Sequence, residues 1–236
     1  MWAALGNIIL VNIVLSGDNA VVIAMAARGL QGSHQKQAII WGSVAAIVMR
    51  VILTIFAVQL LQYPYLKIVG GLLLFWIGIQ LLAEGEDDSE AIAGHSALWA
   101  AIRTIMIADL VMSLDNVIGV AAAAKGNVTL LVIGLAISIP LIVFGSTLML
   151  KLMEKFPIII TLGGALLGYL AGDMMATDPA IAKWFSATFP HNDLVIVPGS
   201  IELSISGLIG AAIVWIVGTM LNKRAAAKAE AHDSKG

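Results

Sequence analysis

The sequence predicts an all-α polytopic membrane protein: seven transmembrane helices, built as a 3+3 inverted-topology repeat plus one helix. Three observations carry this. Apolar residues make up 60% of the 236-residue chain and charged residues only 12%, whereas a soluble domain holds about 45–50% apolar and about 25% charged residues. The apolar residues fall in long runs, with the charges gathered in short joints between them. Finally, SGDNA at 16–20 returns as SLDNV at 113–117, each time inside an apolar run.

A spanning helix needs about 20 mostly apolar residues. Seven segments qualify: 4–27, 38–61, 66–83, 98–124, 128–150, 157–175 and 201–221. The first has no charged leader before it, so it reads as a span and not as a cleaved signal. RGLQGSHQK closes the first segment, EGEDDSEAIAGH closes the third, and KLMEKFP links the fifth to the sixth. The longest joint, 176–200, carries three prolines, and its Trp184, Phe185 and Phe189 suit the headgroup level. It reads as a surface or re-entrant piece. The tail, 222–236, is polar and alanine-rich, with no core of its own. The expected organisation is one transmembrane domain over 1–221: repeat A at 4–83, repeat B at 98–175, and the extra helix at 201–221.

Lys and Arg set the orientation. With the N-terminus outside, the cytoplasmic side holds Arg28, Lys36, Lys151, Lys155, Lys223, Arg224, Lys228 and Lys235, with Arg103 near that boundary. The outer side holds only Lys67, Lys125 and Lys183. The expected topology is therefore N-terminus outside, C-terminus cytoplasmic.

The repeat appears when the chain is offset by 97. VNIVLSGDNAVVIAMAARG then falls on ADLVMSLDNVIGVAAAAKG, pairing Asn12 with Asp109, Ser16 with Ser113, Asp18 with Asp115 and Asn19 with Asn116. A slightly shorter offset places GGLLLFWIGIQ, from Gly70, on GGALLGYLAGD, from Gly163, which pairs Gln80 with Asp173. Each copy has three helices. An odd number makes the copies enter the membrane from opposite sides, a common transporter architecture.

Inverted copies bring equivalent residues together near the midplane. A charge at that depth costs at least about 2.5 kcal/mol on insertion scales, and two nearby carboxylates also repel. A divalent cation offsets both costs. Carboxylate, amide and hydroxyl oxygens are hard ligands that suit Mg, Ca or Mn. The expected metal set is Asp18, Asn19, Asp115 and Asn116, with hydroxyls from Ser16 and Ser113. On an unbroken helix the acids point about 100° away from the neighbouring asparagines, so either the binding surface is broad or the helix unwinds, which Gly17 permits in the first copy. Asp109, Asp173 and Glu202 are further acids that can join or balance the site. Arg50, in the middle of the second segment, cannot deprotonate and so needs an acid partner. Asp18, Asp109, Asp115 and Asp173 are the candidates, with Arg50 countering site charge when the ion leaves. A structural bridge between helices is the alternative.

Other residues read more plainly. The glycines at 70, 71, 163, 164, 168 and 172 serve close helix packing, and the methionines fill space. There is no cysteine, hence no disulfide or thiolate site. His34, His95, His191 and His232 lie in joints or the tail and form no recognisable metal cluster. No spanning segment offers a histidine base, so an enzyme is not expected. Net charge is -2 and no nucleotide-binding glycine pattern is present, so neither nucleic-acid partners nor ATP drive are expected.

NIVLSGDNAVVIA at 12–24 and ADLVMSLDN at 108–116 resemble the signature helices of the TerC family of bacterial membrane proteins, in its short YjbE-like branch. The resemblance covers roughly 4–221. It implies seven helices in the bacterial inner membrane and export of metal ions from the cytoplasm, Mn2+ above all. It also implies that the acids of the DN motifs are ion ligands: Asp18 and Asp115 with Asn19 and Asn116, and Asp109 as an addition. The leading expectation is a secondary transporter exporting Mn2+, with proton antiport as a natural coupling. The alternatives are Ca2+ or Mg2+ in the same architecture, or a scaffold or metal sensor whose ion does not move. The expected partners are the divalent ion and the bilayer, and the sequence leaves a homo-oligomer open.

Overall fold

The structure is a computed structural model that describes residues 17–60, 63–83, 95–124, 128–190, 192–197 and 201–233; the described side chains do not include Asp115, Asn116 or Glu202. Among the described residues are eight helices: α1 (Gly17–Ala27), α2 (Gly32–Leu60), α3 (Leu66–Ala83), α4 (His95–Ala124), α5 (Val128–Lys155), α6 (Ile158–Ala176), α7 (Ala182–Thr188) and α8 (Ile205–Asp233). One antiparallel hairpin, β1 (Asp193–Val197) and β2 (Ile201–Ser204), precedes α8. Among the described residues, six helices are long and apolar enough to cross a membrane: α2, α3, α4, α5, α6 and α8. Their surfaces suit lipid. Trp41, Trp76, Trp99 and Phe144 are more than half exposed, while Ser43, Arg50, Asp109 and Ser113 are buried. Polar groups must be satisfied internally when the solvent is hydrocarbon. The described part of the first segment is α1, and the rest of that segment lies outside the described residues.

Several boundaries depart from the sequence reading. Helix α2 starts at Gly32, not 38, because Gly32 adopts φ +58 and lets the chain turn directly out of α1. Thus His34, and likewise His95 at the start of α4, sit in helices and not in joints. Helix α5 runs on through KLMEK and α8 through AAAKAEAHD, since Ala, Lys, Glu, Leu and Met are strong helix formers whatever their polarity. The tail is therefore helical as far as Asp233. The last span begins at Ile205, not 201. IELS pairs with DLVIV instead, and the register sets Val195 opposite Glu202. Glu202 thus belongs to a strand and does not open the seventh helix. The long joint contains a seven-residue helix, roughly 10 Å at 1.5 Å per residue, far too short to span.

The chain forms two compact units. The first contains Met1–Tyr63 and Ile92–Pro157. Within it α2 packs along α4, α1 along α5, α2 against α5, and α1 against α4. Gly42 lies so close to Ile105 that an added Cβ would come within 2.7 Å of its Cδ1. Pro140, inside α5, removes the donor for the Ala136 carbonyl, a break that membrane helices tolerate.

The second unit contains Pro64–Ala91 and Ile158–Gly236. Here α6 packs on α8 and both pack on α3. The α6–α8 crossing is a backbone-to-backbone approach: a Cβ on Gly168 would strike the Gly210 carbonyl, and one on Gly210 would strike that of Gly168. Asn222, late in α8, donates to the Leu82 carbonyl at 3.1 Å, so α3 and α8 end on the same side.

Asp178, just past α6 and fully buried, was not singled out by the sequence. Its Oδ1 accepts from the backbone N–H of Tyr65 (2.9 Å) and Ala180 (2.8 Å), and its Oδ2 from Lys67 (3.0 Å) and Ile68 (3.1 Å). It caps the N-terminus of α3 from more than a hundred residues away, and it holds Tyr65 at φ +69, which side chains rarely adopt. Burial alone would raise its pKa, but the four N–H donors outweigh that and hold the carboxyl below its usual range. Asp178→Asn should therefore destabilise the protein by about 2 kcal/mol, the upper end for a lost cap. The sign follows from the depressed pKa. The stabilisation is fully present above the ordinary carboxylate pKa of about 4 and disappears as pH falls through the folded-state value. Melting in detergent should show a wild-type advantage at neutral pH that shrinks below about pH 4; an advantage independent of pH would refute the charge argument.

Candidate functional site

The polar centre of the first unit lies between α2 and α4. Arg50 and Asp109 form a buried ion pair through Nη2 and Oδ1. Arg50 Nε also donates to Ser113 Oγ at 2.9 Å, and that hydroxyl donates to Asp109 Oδ2 at 3.3 Å. Asp109 and Ser113 meet because residues four apart share a helix face. The result is a triangle of contacts in which arginine, carboxylate and hydroxyl each touch the other two. Arg50 is 1% exposed and Asp109 5%. Thr54 donates to the Arg50 carbonyl at 2.7 Å, one turn on. The sequence named four possible acids for Arg50, and the structure pairs it with Asp109.

Asp18 is half-buried on α1 and lies within electrostatic reach of both Arg50 and Asp109. Its carboxylate accepts from the Asn19 N–H at 2.8 Å. Asn19 is buried, and neither its Oδ1 nor its Nδ2 has a hydrogen-bond partner among the described residues. That is unusual, because an unpaired buried amide costs roughly 1–3 kcal/mol by mutational measures. Ser43, on the same unit, is fully buried with an unpartnered hydroxyl among the described residues. It stands seven positions before Arg50, hence on the same face of α2, and that spacing was the signal that could have found it.

The remaining expected site residues divide as follows. Ser16 and the side chains of Asp115 and Asn116 lie outside the described residues, although 115 and 116 are helical within α4. Asp173 is half-buried on α6, and Glu202 is in β2, both in the second unit. Among the described residues no three His, Asp or Glu side chains lie together as a ready metal cluster. Among the described residues the arrangement offers the Asp18 carboxylate outside the ion pair, the unpartnered Asn19 amide and the Arg50–Asp109 pair, a chemistry of charge balance and oxygen ligation.

The chain matches the integral membrane protein TerC family over residues 1–227. It is 47% identical over 176 residues to the membrane protein YjbE of Bacillus subtilis (strain 168), covering 75% of this chain and 80% of the relative. It is 25% identical over 205 residues to the membrane protein YceF of the same organism, covering 83% and 77%. It is 26% identical over 173 residues to the inner membrane protein YgdQ of Escherichia coli (strain K12), covering 66% and 73%. No solved structure matches the chain.

Proposed function

The chain belongs to the TerC family of integral membrane proteins, and from that premise we propose that it is a secondary transporter exporting divalent metal ions, Mn2+ above all, across the bacterial inner membrane. The observation that carries the reading is Asn19: a buried carboxamide without a partner among the described residues, beside the carboxylate of Asp18. A hard divalent ion would give the amide a partner and draw on the carboxylate beside it. Asp18 and Asn19 supply one half of its shell, and Asp115, Asn116, Ser16 and Ser113 the other. Asp109 is held by Arg50; in this reading Arg50 keeps the site neutral when the ion is gone, and Asp109 becomes a ligand only when the pair opens. Carboxylates that bind an ion on one side and protons on the other make proton antiport the natural coupling. Asp173 and Glu202 are further groups for that proton traffic.

The inverted repeat, with seven spans, is the architecture this needs, and packing in the second unit supports it. An offset of 93 carries Gly71 to Gly164 and Leu82 to Met175. A Cβ on Gly71 would lie 3.0 Å from Met175 Sδ, and one on Gly164 would lie 3.3 Å from Leu82 Cβ. Each contact is the image of the other. Each unit also draws on both halves: α1 and α2 join α4 and α5 in the first, and α3 joins α6 in the second. The packing of α2 on α4 and of α5 on α1 are images in the same sense.

The direct test is flux of Mn2+, Ca2+ and Mg2+, each in turn, into proteoliposomes of the purified protein. Mn2+ movement that dissipates an imposed pH gradient is expected. Faster Ca2+ or Mg2+ flux would reassign the cargo, and ion binding without any flux would favour the scaffold or sensor. The orientation has its own test. A reporter fused after Lys223 should be active in the cytoplasm; activity in the periplasm would reverse the topology.

A further inference from the structure

Helices α2 and α4 run parallel and touch repeatedly in the same order: Gly42 against Ile105, then Arg50 against Asp109. They also meet at their starts. His34, in the first turn of α2, and His95, the first residue of α4, face each other with ring centres 5.7 Å apart and planes at 74°. His34 is half-buried and His95 exposed. The sequence separates these rings by 61 residues, so only the parallel packing brings them together.

We propose that His34 and His95 form a two-imidazole site for a borderline first-row divalent ion of the Zn2+, Ni2+ and Cu2+ class. The separation fits. Two imidazoles bound to one ion through nitrogens at about 2.1 Å have ring centres roughly 4.6–6.5 Å apart, from a right-angled to a linear arrangement. The observed 5.7 Å lies inside that window. Imidazole nitrogen favours these ions, whereas Ca2+ and Mg2+ take oxygen. Among the described residues no third His, Asp or Glu completes a cluster. The site is separate from the DN motifs. His34 precedes Arg50 by 16 residues, roughly 24 Å of helix. Its donors are nitrogens where the DN donors are oxygens. On the Lys/Arg asymmetry this end is cytoplasmic, so the pair would sample the cytoplasmic ion pool. A bound ion would tie together the ends of the two helices whose middles hold the Arg50–Asp109 pair. The inference stands on the ring geometry and does not depend on the transport reading.

The test is electron paramagnetic resonance of Cu2+ bound to the full-length protein in detergent. A His191→Gln, His232→Gln background leaves His34 and His95 as the only histidines. Nitrogen hyperfine structure from two imidazoles is expected, with Ni2+ and Zn2+ displacing the Cu2+ and Mg2+ failing to do so. His34→Gln and His95→Gln should each reduce the signal to one imidazole and weaken Ni2+ binding at least tenfold in calorimetry, with melting of the metal-free protein little changed. A two-nitrogen signal that survives either substitution, or no nitrogen signal at all, would overturn the proposal and leave the rings as ordinary packing. Absence of Mn2+ flux by the unaltered protein, with this signal intact, would count against the transport reading alone.

Discussion

Asp109→Asn is expected to destabilise the protein more than Arg50→Gln does, and combining the two should restore much of the loss. Breaking a buried ion pair from one side costs about 3–5 kcal/mol, because the surviving charge is left without compensation. The two sides are not equivalent, however. A carboxylate stranded by Arg50→Gln can escape by binding a proton. A guanidinium stranded by Asp109→Asn cannot release one. Its direct partner from Asp109 would then be a neutral amide oxygen in place of a carboxylate, beside the Ser113 hydroxyl. Asp109→Asn should therefore be the more severe of the two. The double variant replaces the pair with two amides that can hydrogen-bond to each other. Melting of the four proteins in detergent forms a double-mutant cycle, and a coupling of a few kcal/mol is expected. If Arg50 also balances the charge of a transport site, the stability rescued in the double variant will not bring back ion flux. Rescue of both would make the pair a structural bridge between α2 and α4 and nothing more.

Much of this architecture is readable from hydropathy because lipid allows little else. Runs of about 20 apolar residues must be helices that satisfy their own backbone, and α3 and α6 fall almost where the runs predict. The departures arise where the chain leaves hydrocarbon and hydropathy loses its grip. GSHQKQ and AAAKAEAHD are polar, yet they extend α2 and α8, because helix propensity does not depend on burial. IELS is apolar enough to look like the start of a span, but cross-strand pairing with DLVIV claims it. Arg50 advertises itself, since a lone arginine at mid-span must have an acid, yet Asp109 could be chosen among four acids only by packing. Asp178 and the histidine pair were illegible for a different reason. Each depends on a contact between residues far apart in sequence, and a lone Asp in ATDPA or a His in GSHQK carries no local mark of its partner.

The second large effect concerns Asn19, where binding and stability should move in opposite directions. An unpartnered buried amide is a liability in the metal-free protein, and replacing it with an apolar group of similar shape removes that liability. Asn19→Leu is therefore expected to leave the metal-free protein as stable as the wild type or to raise its melting temperature, while lowering Mn2+ affinity. The aspartates carry more. One DN motif offers a single charge and a single amide oxygen, too few for a six-coordinate hard ion. If both motifs build one site, Asp18→Asn should abolish Mn2+ binding about as fully as Asp115→Asn. The double variant should then lose little more than either alone, since residues acting as a unit are not additive. Asn116→Ala, like Asn19→Leu, should weaken binding by a smaller amount, because water can replace a neutral ligand. Calorimetric titration with Mn2+ across this set, with melting measured on the same samples, decides the matter. Two sites that each survive loss of the other's aspartate would break the shared-site reading. An Asn19→Leu protein that melts lower would show that the amide already has a partner within the chain, and the strongest reason for placing an ion beside Asp18 would be gone.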